Sequence, residues 1–376
     1  MKRIFSVLML CCVLLTGCNE RQVEEELLVI VLSIDQTSEN RCQVAIKVPA
    51  NSSAASSSPS SQEEPGYLLL QAEGGNFSDA VSMLNATTPR RLNFSQVREV
   101  IIGDAIAKQA GFITLLQQID ALPRFRCSAA VIICQGNALE FTKQQKPYVG
   151  MRLSRYAENT LASNAGKGFT PSTDLCAGVR DLGFGFSDPL FILGAVNDFA
   201  DLEGQNGEKS LNTKAGSLPR KSMEAIEMFG AAATNGISVC GYLTGYEMAL
   251  IHLINGHVEA LTVQQGGGAL HITARTPASL TVDISEAPIV LKISLLCEAQ
   301  YPPGSDPELE FLRDQLRQDI LSLISHLQSI GCDGIGFGNV AVKYFLTIPD
   351  WEAFDWQTQY IQAAVQAEVI VQGREK

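Results

Sequence analysis

The sequence is short of the residues that do chemistry. Only four histidines occur in 376 residues, His252, His257, His271 and His326, and none stands at an H-E-x-x-H or other metal-ligand spacing. No G-x-S-x-G elbow, no S-x-x-K and no C-x-x-C is present. The usual hydrolase, metalloprotease and dithiol-oxidoreductase constellations are therefore excluded, and neither a catalytic residue, a metal nor a cofactor is expected. Past Cys18 no apolar stretch approaches the about 20 residues that cross a bilayer, so no membrane-spanning anchor is expected there. Basic residues are also in deficit, 28 Lys and Arg against 40 Asp and Glu, a net charge of −12. Nucleic acid and anionic headgroups would repel such a body.

What the chain does have begins at its N-terminus. Lys2 and Arg3 precede an apolar run from Ile4 to Leu15, and Leu15-Thr16-Gly17-Cys18 follows. The run has the length of a signal-peptide core and is too short to span a membrane. Small residues before Cys18 fit cleavage beside a cysteine whose thiolate accepts a diacylglyceryl group. Residues 1–17 are therefore expected to be a lipoprotein signal peptide, with Cys18 the lipidated first residue of an exported chain. Each buried methylene contributes about 0.8 kcal/mol, so two or three acyl chains hold where one barely does. Of the remaining cysteines, Cys42, Cys127, Cys134, Cys176, Cys240, Cys297 and Cys332 belong to the mature chain. Their odd number, and apolar settings such as that of Cys134, point to mostly reduced, buried thiols.

With 46% hydrophobic and 18% charged residues the composition is globular, and the length allows two or three domains. Strands are expected over 27–34, 42–48, 67–71, 97–102 and 126–134. Phe77, Ala80, Val81 and Leu84 mark a helix, with Ser78 and Asp79 expected to cap and charge its first turn. Further helices are expected from Asp104 through Leu115 and from Asn137 to Gln145. Serine dominates 50–66, which should be a disordered loop. The alternation of strand and helix makes 18–196 an α/β or α+β unit. Residues 197–221, rich in Gly, Asn and Lys, read as a linker. A small middle domain is expected over 222–285, with strands and a loose turn at Gly266–Gly268. The C-terminal α/β unit, 286–376, has a strand at 289–297 and a long helix carrying Leu309, Leu312, Leu316, Ile320, Leu323, Leu327 and Ile330 on one face. A glycine-rich loop at 332–338, a helix at 351–360 and a strand at 361–371 complete it. Gly334-Ile335-Gly336-Phe337-Gly338 lacks G-x-G-x-x-G spacing and follows a helix, so it reads as a turn and not a phosphate cradle.

Three segments, in order, carry a family resemblance: Arg91-Leu92-Asn93-Phe94-Ser95-Gln96-Val97-Arg98-Glu99-Val100-Ile101-Ile102-Gly103-Asp104, then Asn235-Gly236-Ile237-Ser238-Val239-Cys240-Gly241-Tyr242-Leu243 with Glu247, then Asp333 to Gly338 followed by Trp351 and Trp356. With the Cys18 motif, this order resembles the Ger(x)C spore-germination lipoproteins, the C subunits of nutrient germinant receptors. Asn19-Glu20 stands where that family commonly has Trp-Asp. The resemblance implies a three-domain mixed α/β protein, with mixed sheets flanked by helices and no enzymatic activity. It implies a lipid anchor on the outer face of the spore inner membrane and integral-membrane A and B subunits as partners.

Charges beside strand ends and turns, Arg91, Asp104, Arg124, Arg126 and Asp333, are the positions where a partner could pair, or equally where ion pairs and turn caps hold the fold. A solute-binding lipoprotein of a transporter is the competing reading. It would have the same anchor, but normally needs two similar lobes, and no internal duplication is visible.

Overall fold

The computed structural model of the chain describes residues 25–37, 39–50, 66–146, 151–197, 211–219, 225–257, 261–265, 268–285, 287–304 and 307–375. The signal segment, Cys18 and residues 51–65 of the serine-rich stretch lie outside them.

In chain order the first half runs β1 (Glu26–Leu28), β2 (Val31–Gln36), β3 (Cys42–Pro49), β4 (Tyr67–Gly74), α1 (Phe77–Thr87), β5 (Arg91–Asn93), β6 (Glu99–Gly103), α2 (Asp104–Ala107), α3 (Phe112–Asp120), β7 (Ala130–Gln135), α4 (Ala138–Gln144), α5 (Leu153–Gly166), α6 (Leu175–Phe184) and β8 (Leu190–Val196). The second half adds β9 (Ile226–Thr234), β10 (Val239–Leu243), α7 (Gly245–Ile254), β11 (Leu261–Gln265), β12 (Gly268–Thr273), β13 (Ser279–Asp283), β14 (Val290–Tyr301), α8 (Leu309–Ser329), α9 (Gly338–Ala341), α10 (Ile348–Phe354), α11 (Trp356–Gln362) and β15 (Ala364–Glu375).

An eight-stranded sheet has the order β10-β9-β8-β7-β6-β2-β3-β4. Its centre, β2, β6, β7 and β8, is parallel, and antiparallel strands flank it on both sides. Parallel strands buried on both faces read as near-continuous apolar runs, which explains Val100–Ile102 and Val131–Cys134. Alternate residues feed two cores. Val100, Ile102, Val131 and Ile133 meet Phe77, Phe112 and Leu175 from α1, α3 and α6. Ile101, Ile132 and Cys134 meet Phe141 and Leu153 from α4 and α5. The result is α+β, with helices on both faces of a mixed sheet.

The second sheet is organised on β14. One edge takes β13 over Val290–Ser294 and β12 over Glu298–Gln300, both antiparallel. The other edge pairs in parallel with β15 over all 12 residues. The apolar stripe of α8, including Leu312, Leu316, Ile320 and Leu327, is buried. One core holds this stripe together with Leu190, Ala231, Ala233 and Leu243 of the larger sheet. The two sheets therefore share a hydrophobic interior. Residues 222–285 divide between them: β9 and β10 extend the larger sheet, and β11 to β13 belong to the smaller. The described part of 197–221 is tied into the fold, with the Ala215 N–H on Phe229 O at 3.0 Å and the Gly216 N–H on Glu227 Oε2 at 2.7 Å.

Several local expectations change. The cap of α1 is Asn76, whose side chain accepts from the Asp79 N–H, and not Ser78. The helix expected from Asp104 through Leu115 is two helices, α2 and α3, because the chain turns at 108–111. The strand expected over 126–134 begins only at Ala130, since Arg126–Ala129 is a turn closed by Ala129 N–H on Arg126 O at 3.1 Å. Cys127 in that turn is exposed and joined to Cys176 as a disulfide, with Cα atoms 5.2 Å apart. The burial argument for reduced thiols never reached it. Cys42, Cys134, Cys240, Cys297 and Cys332 are free. The helix expected at 351–360 breaks at Asp355, which has φ 50, into α10 and α11.

Candidate functional site

A cluster of perturbed buried groups sits where the C-terminal unit plugs into the larger sheet. After α8 the chain turns through Gly331, with φ +68, and sends Cys332 and Asp333 inward. Asp333 is 1% exposed. Its Oδ1 accepts from the Gly336 and Phe337 N–H groups, both at 3.0 Å. Its Oδ2 accepts from the Gly338 N–H at 2.6 Å and from the Trp356 indole N–H at 3.2 Å. One carboxylate thus holds a whole turn closed. Gly336 has φ +92, where a side chain would be strained. A Cβ on Gly338 would lie 2.1 Å from Phe186 O, so only glycine fits there.

The segment before β8 receives this turn. The Asp333 N–H donates to Asp188 Oδ2 at 2.7 Å, and the Asp188 N–H donates to Asp333 O at 3.2 Å. Phe186 meets Trp351 edge-on at 5.8 Å, and Trp351 stacks on Trp356 at 5.7 Å. Both indoles are 6% exposed. On one continuous helix they would lie on different faces; the break at Asp355 turns them together. Cys332 is buried against Cys240 of β10, and burial, that contact and the Asp188 charge push its thiol well up.

Burial pushes Asp188 up to about 7, the Asp333 N–H opposing the rise and the Asp333 charge adding to it. Burial likewise pushes Asp333 up to about 6, against the pull of the Gly338, Phe337 and Gly336 N–H groups and of Trp356. The arrangement can hold two halves of a molecule in register and can take up protons. The Asp333 carboxylate is filled by protein donors.

The other sequence-picked charges fall elsewhere. Arg91 is exposed at the start of β5, opposite Glu26 in the two-stranded ribbon of β1 and β5. Arg124, at φ 57, places Nη1 3.4 Å from Glu26 Oε1, and Asn93 also donates to Glu26. Arg126 Nε donates to Ser128 Oγ at 2.9 Å. Asp104 opens α2 and accepts from Lys108 Nζ at 3.0 Å and Tyr242 OH at 3.2 Å, while Lys108 lies over the Tyr242 ring. The structure therefore brings Arg91 and Arg124 together around Glu26, and keeps Asp104, Arg126 and Asp333 apart.

Sequence reasoning missed Asp188, which carries no local signal, and a buried polar row across three strands. Lys47 and Glu99 both pair with Val31 in register, so they share a face of the sheet. Lys47 Nζ donates to Gln145 O and lies 4.3 Å from the centre of the Tyr67 ring, and Gln145 Nε2 donates to Glu99 Oε2 at 2.6 Å. Burial lowers Lys47 to about 7 and raises Glu99.

Together the shared core and the carboxylate-closed turn define an α+β protein whose two large sheets are locked by a buried acidic joint. Residues 19–190 match the sequence family described as the spore germination protein N-terminal domain, and residues 230–375 match the one described as spore germination B3/GerAC like, C-terminal. The chain belongs to the Ger(x)C family of spore germination proteins. Two proteins of Bacillus subtilis (strain 168) are similar to it. Spore germination protein KC is 24% identical over 143 residues, 37% of this chain and 35% of that protein, so the match spans about a third of KC. The putative spore germination protein YfkR is 19% identical over 368 residues, 96% of this chain and 94% of that protein. The crystal structure of the GerBC protein aligns with a TM-score of 0.49 at 11% identity, covering 91% of this chain and 96% of that one.

Proposed function

We propose that this protein is the lipid-anchored C subunit of a spore nutrient germinant receptor and is required for the germination response. The observation that carries the reading is that both family domains match in order, across 19–190 and 230–375. The Leu15–Cys18 motif supplies the anchor, on the extracytoplasmic face of the spore inner membrane. No described helix is long and apolar enough to cross a membrane. The partners are the integral-membrane A and B subunits. The protein acts on them by contact and not by chemistry: it binds their resting and triggered states unequally, with a coupling of about 1–3 kcal/mol.

The test is affinity purification of the tagged full chain from detergent-solubilised spore membranes. Recovery of two multi-spanning receptor subunits supports the reading, together with loss of the nutrient response in spores lacking the chain. Recovery of a permease and an ATPase overturns it in favour of a solute-binding lipoprotein.

A further inference from the structure

The Cys127–Cys176 pair lies apart from the joint and has a third neighbour. Asp120 is the last residue of α3, Cys127 lies in the exposed turn before β7, and Cys176 is the second residue of α6. One ligand atom from each, Asp120 O, Cys127 Sγ and Cys176 Sγ, fall within 4.8 Å of one another. Among the described residues these three alone are so placed. We propose that the reduced form of this pair, with Asp120, is a binding site for a zinc ion.

The geometry needs little change. Tetrahedral zinc with bonds of about 2.3 Å to sulfur and about 2.0–2.2 Å to oxygen sets its ligand atoms roughly 3.5 Å apart. Cys176 Sγ already lies 3.5 Å from Asp120 Oδ1. The two sulfurs must separate once their bond is broken. Cys127 can supply that movement, because it is exposed and lies outside any helix or strand.

The chemistry also fits. Thiolate is the ligating form of cysteine, and a helix N-terminus favours it. Cys176 stands in the first turn of α6. Two thiolates and a carboxylate suit zinc and not magnesium or calcium, and the open side leaves the fourth position to water. Cys134, Cys297 and Cys332 differ in kind. They are buried, and burial pushes their thiols up.

Reduction is balanced by a phosphine. One disulfide, one phosphine and one water give two thiols and one phosphine oxide, and zinc then displaces the two thiol protons to solvent. The test uses the full chain in detergent, reduced anaerobically with tris(2-carboxyethyl)phosphine. It is then equilibrated with zinc, or with cobalt(II) as a spectroscopic probe.

The expected result is one zinc per reduced chain, none on the disulfide form, and thiolate-to-cobalt charge-transfer absorption. Asp120→Asn should weaken binding at least about tenfold while leaving the disulfide and fold in place. Equal zinc on oxidised and reduced chains overturns the proposal. So does undiminished affinity in Asp120→Asn, or one zinc retained by a folded Cys127→Ser/Cys176→Ser chain.

Discussion

The indole N–H of Trp356 donates to Oδ2 of Asp333 at 3.2 Å, joining the helix before the last strand to the turn after the longest helix. Asp333 gathers three backbone donors besides the indole, and Trp356 stacks on Trp351 and packs at a tilt against Tyr360.

Removing either partner should therefore separate packing from hydrogen bonding. Trp356→Ala should cost about 3–5 kcal/mol, as for other buried tryptophans. Trp356→Phe keeps most of the stack and loses one donor, so about 1 kcal/mol is expected. Asp333→Ala strands four donors in the interior, where each unpaired group costs about 1–3 kcal/mol, and should exceed 3 kcal/mol. Denaturant midpoints of the purified soluble domain variants rank these. If Trp356→Ala melts like wild type, the indole is not part of the core.

Stability should vary with pH in two limbs. Asp188 and Asp333 have folded pKa values raised above the ordinary 3.8, to about 7 and about 6. The folded state binds these protons more tightly than the unfolded one, so their contribution is fully present below about pH 4. It is lost as pH rises through 6 and 7. Asp35 and Glu99, also raised by burial, act with the same sign. Lys47 runs the other way. Lowered from 10.5 to about 7, it contributes stability above pH 10.5 that is lost as pH falls to 7. A minimum near neutrality is the expected profile. Asp188→Asn should flatten the acid limb and Lys47→Met the alkaline one, read from urea midpoints at pH 5, 7 and 9. A profile unchanged in both variants would show that these groups titrate alike in the folded and unfolded states.

Much of this was visible in the chain, for reasons that differ by element. The buried strands over 99–103 and 130–135 and the stripe of α8 declare themselves because a core needs uninterrupted apolar residues at period two or 3.6. That β9 would add to the larger sheet was not legible. Its run Phe-Gly-Ala-Ala-Ala has no pattern that selects one sheet over another, and the choice is made by packing against Leu190 and Leu243. At the candidate site, Asp333 could be picked out because a carboxylate before three spaced glycines is a natural turn cap. Asp188 could not, since its role exists only through a residue 145 positions away. The stacking of Trp351 on Trp356 was hidden for a local reason: a single left-handed residue, Asp355, overrides helical geometry.

The serine-rich stretch should be dispensable for stability. β3 and β4 pair from Cys42–Gly74 to Pro49–Tyr67, and the Ala50 N–H reaches Gly66 O at 3.1 Å, so the hairpin is closed before residues 51–65 begin. The entropy cost of closing a loop changes only slowly with its length. Replacing 51–65 with a short Gly-Asn turn should shift the melting temperature by no more than a degree or two upward, at about 4 °C or less per kcal/mol in a protein of this size. A fall of several degrees would show that the stretch packs against the body.

The anchor can be separated from the fold. Cys18 lies outside the described residues, and β1 begins at Glu26. Cys18→Ala should leave melting unchanged. It should also block acylation, and with it the about 0.8 kcal/mol per buried methylene that holds the chain on a bilayer. Without Lys2 and Arg3 of the signal segment, a body with 40 acidic against 28 − 2 = 26 basic side chains has no electrostatic reason to remain on anionic lipid without that anchor. If the signal segment stays uncleaved its apolar run could hold part of the protein on the membrane, so processing must be followed alongside fractionation. The decisive measurement uses Cys18→Ala with an ordinary secretory signal that is demonstrably removed, in salt-washed membranes of sporulating cells. The variant should appear in the soluble fraction while the wild type sediments. Quantitative sedimentation of the cleaved variant, in cells lacking the two integral-membrane subunits, would show that lipidation of Cys18 is not what holds the protein there.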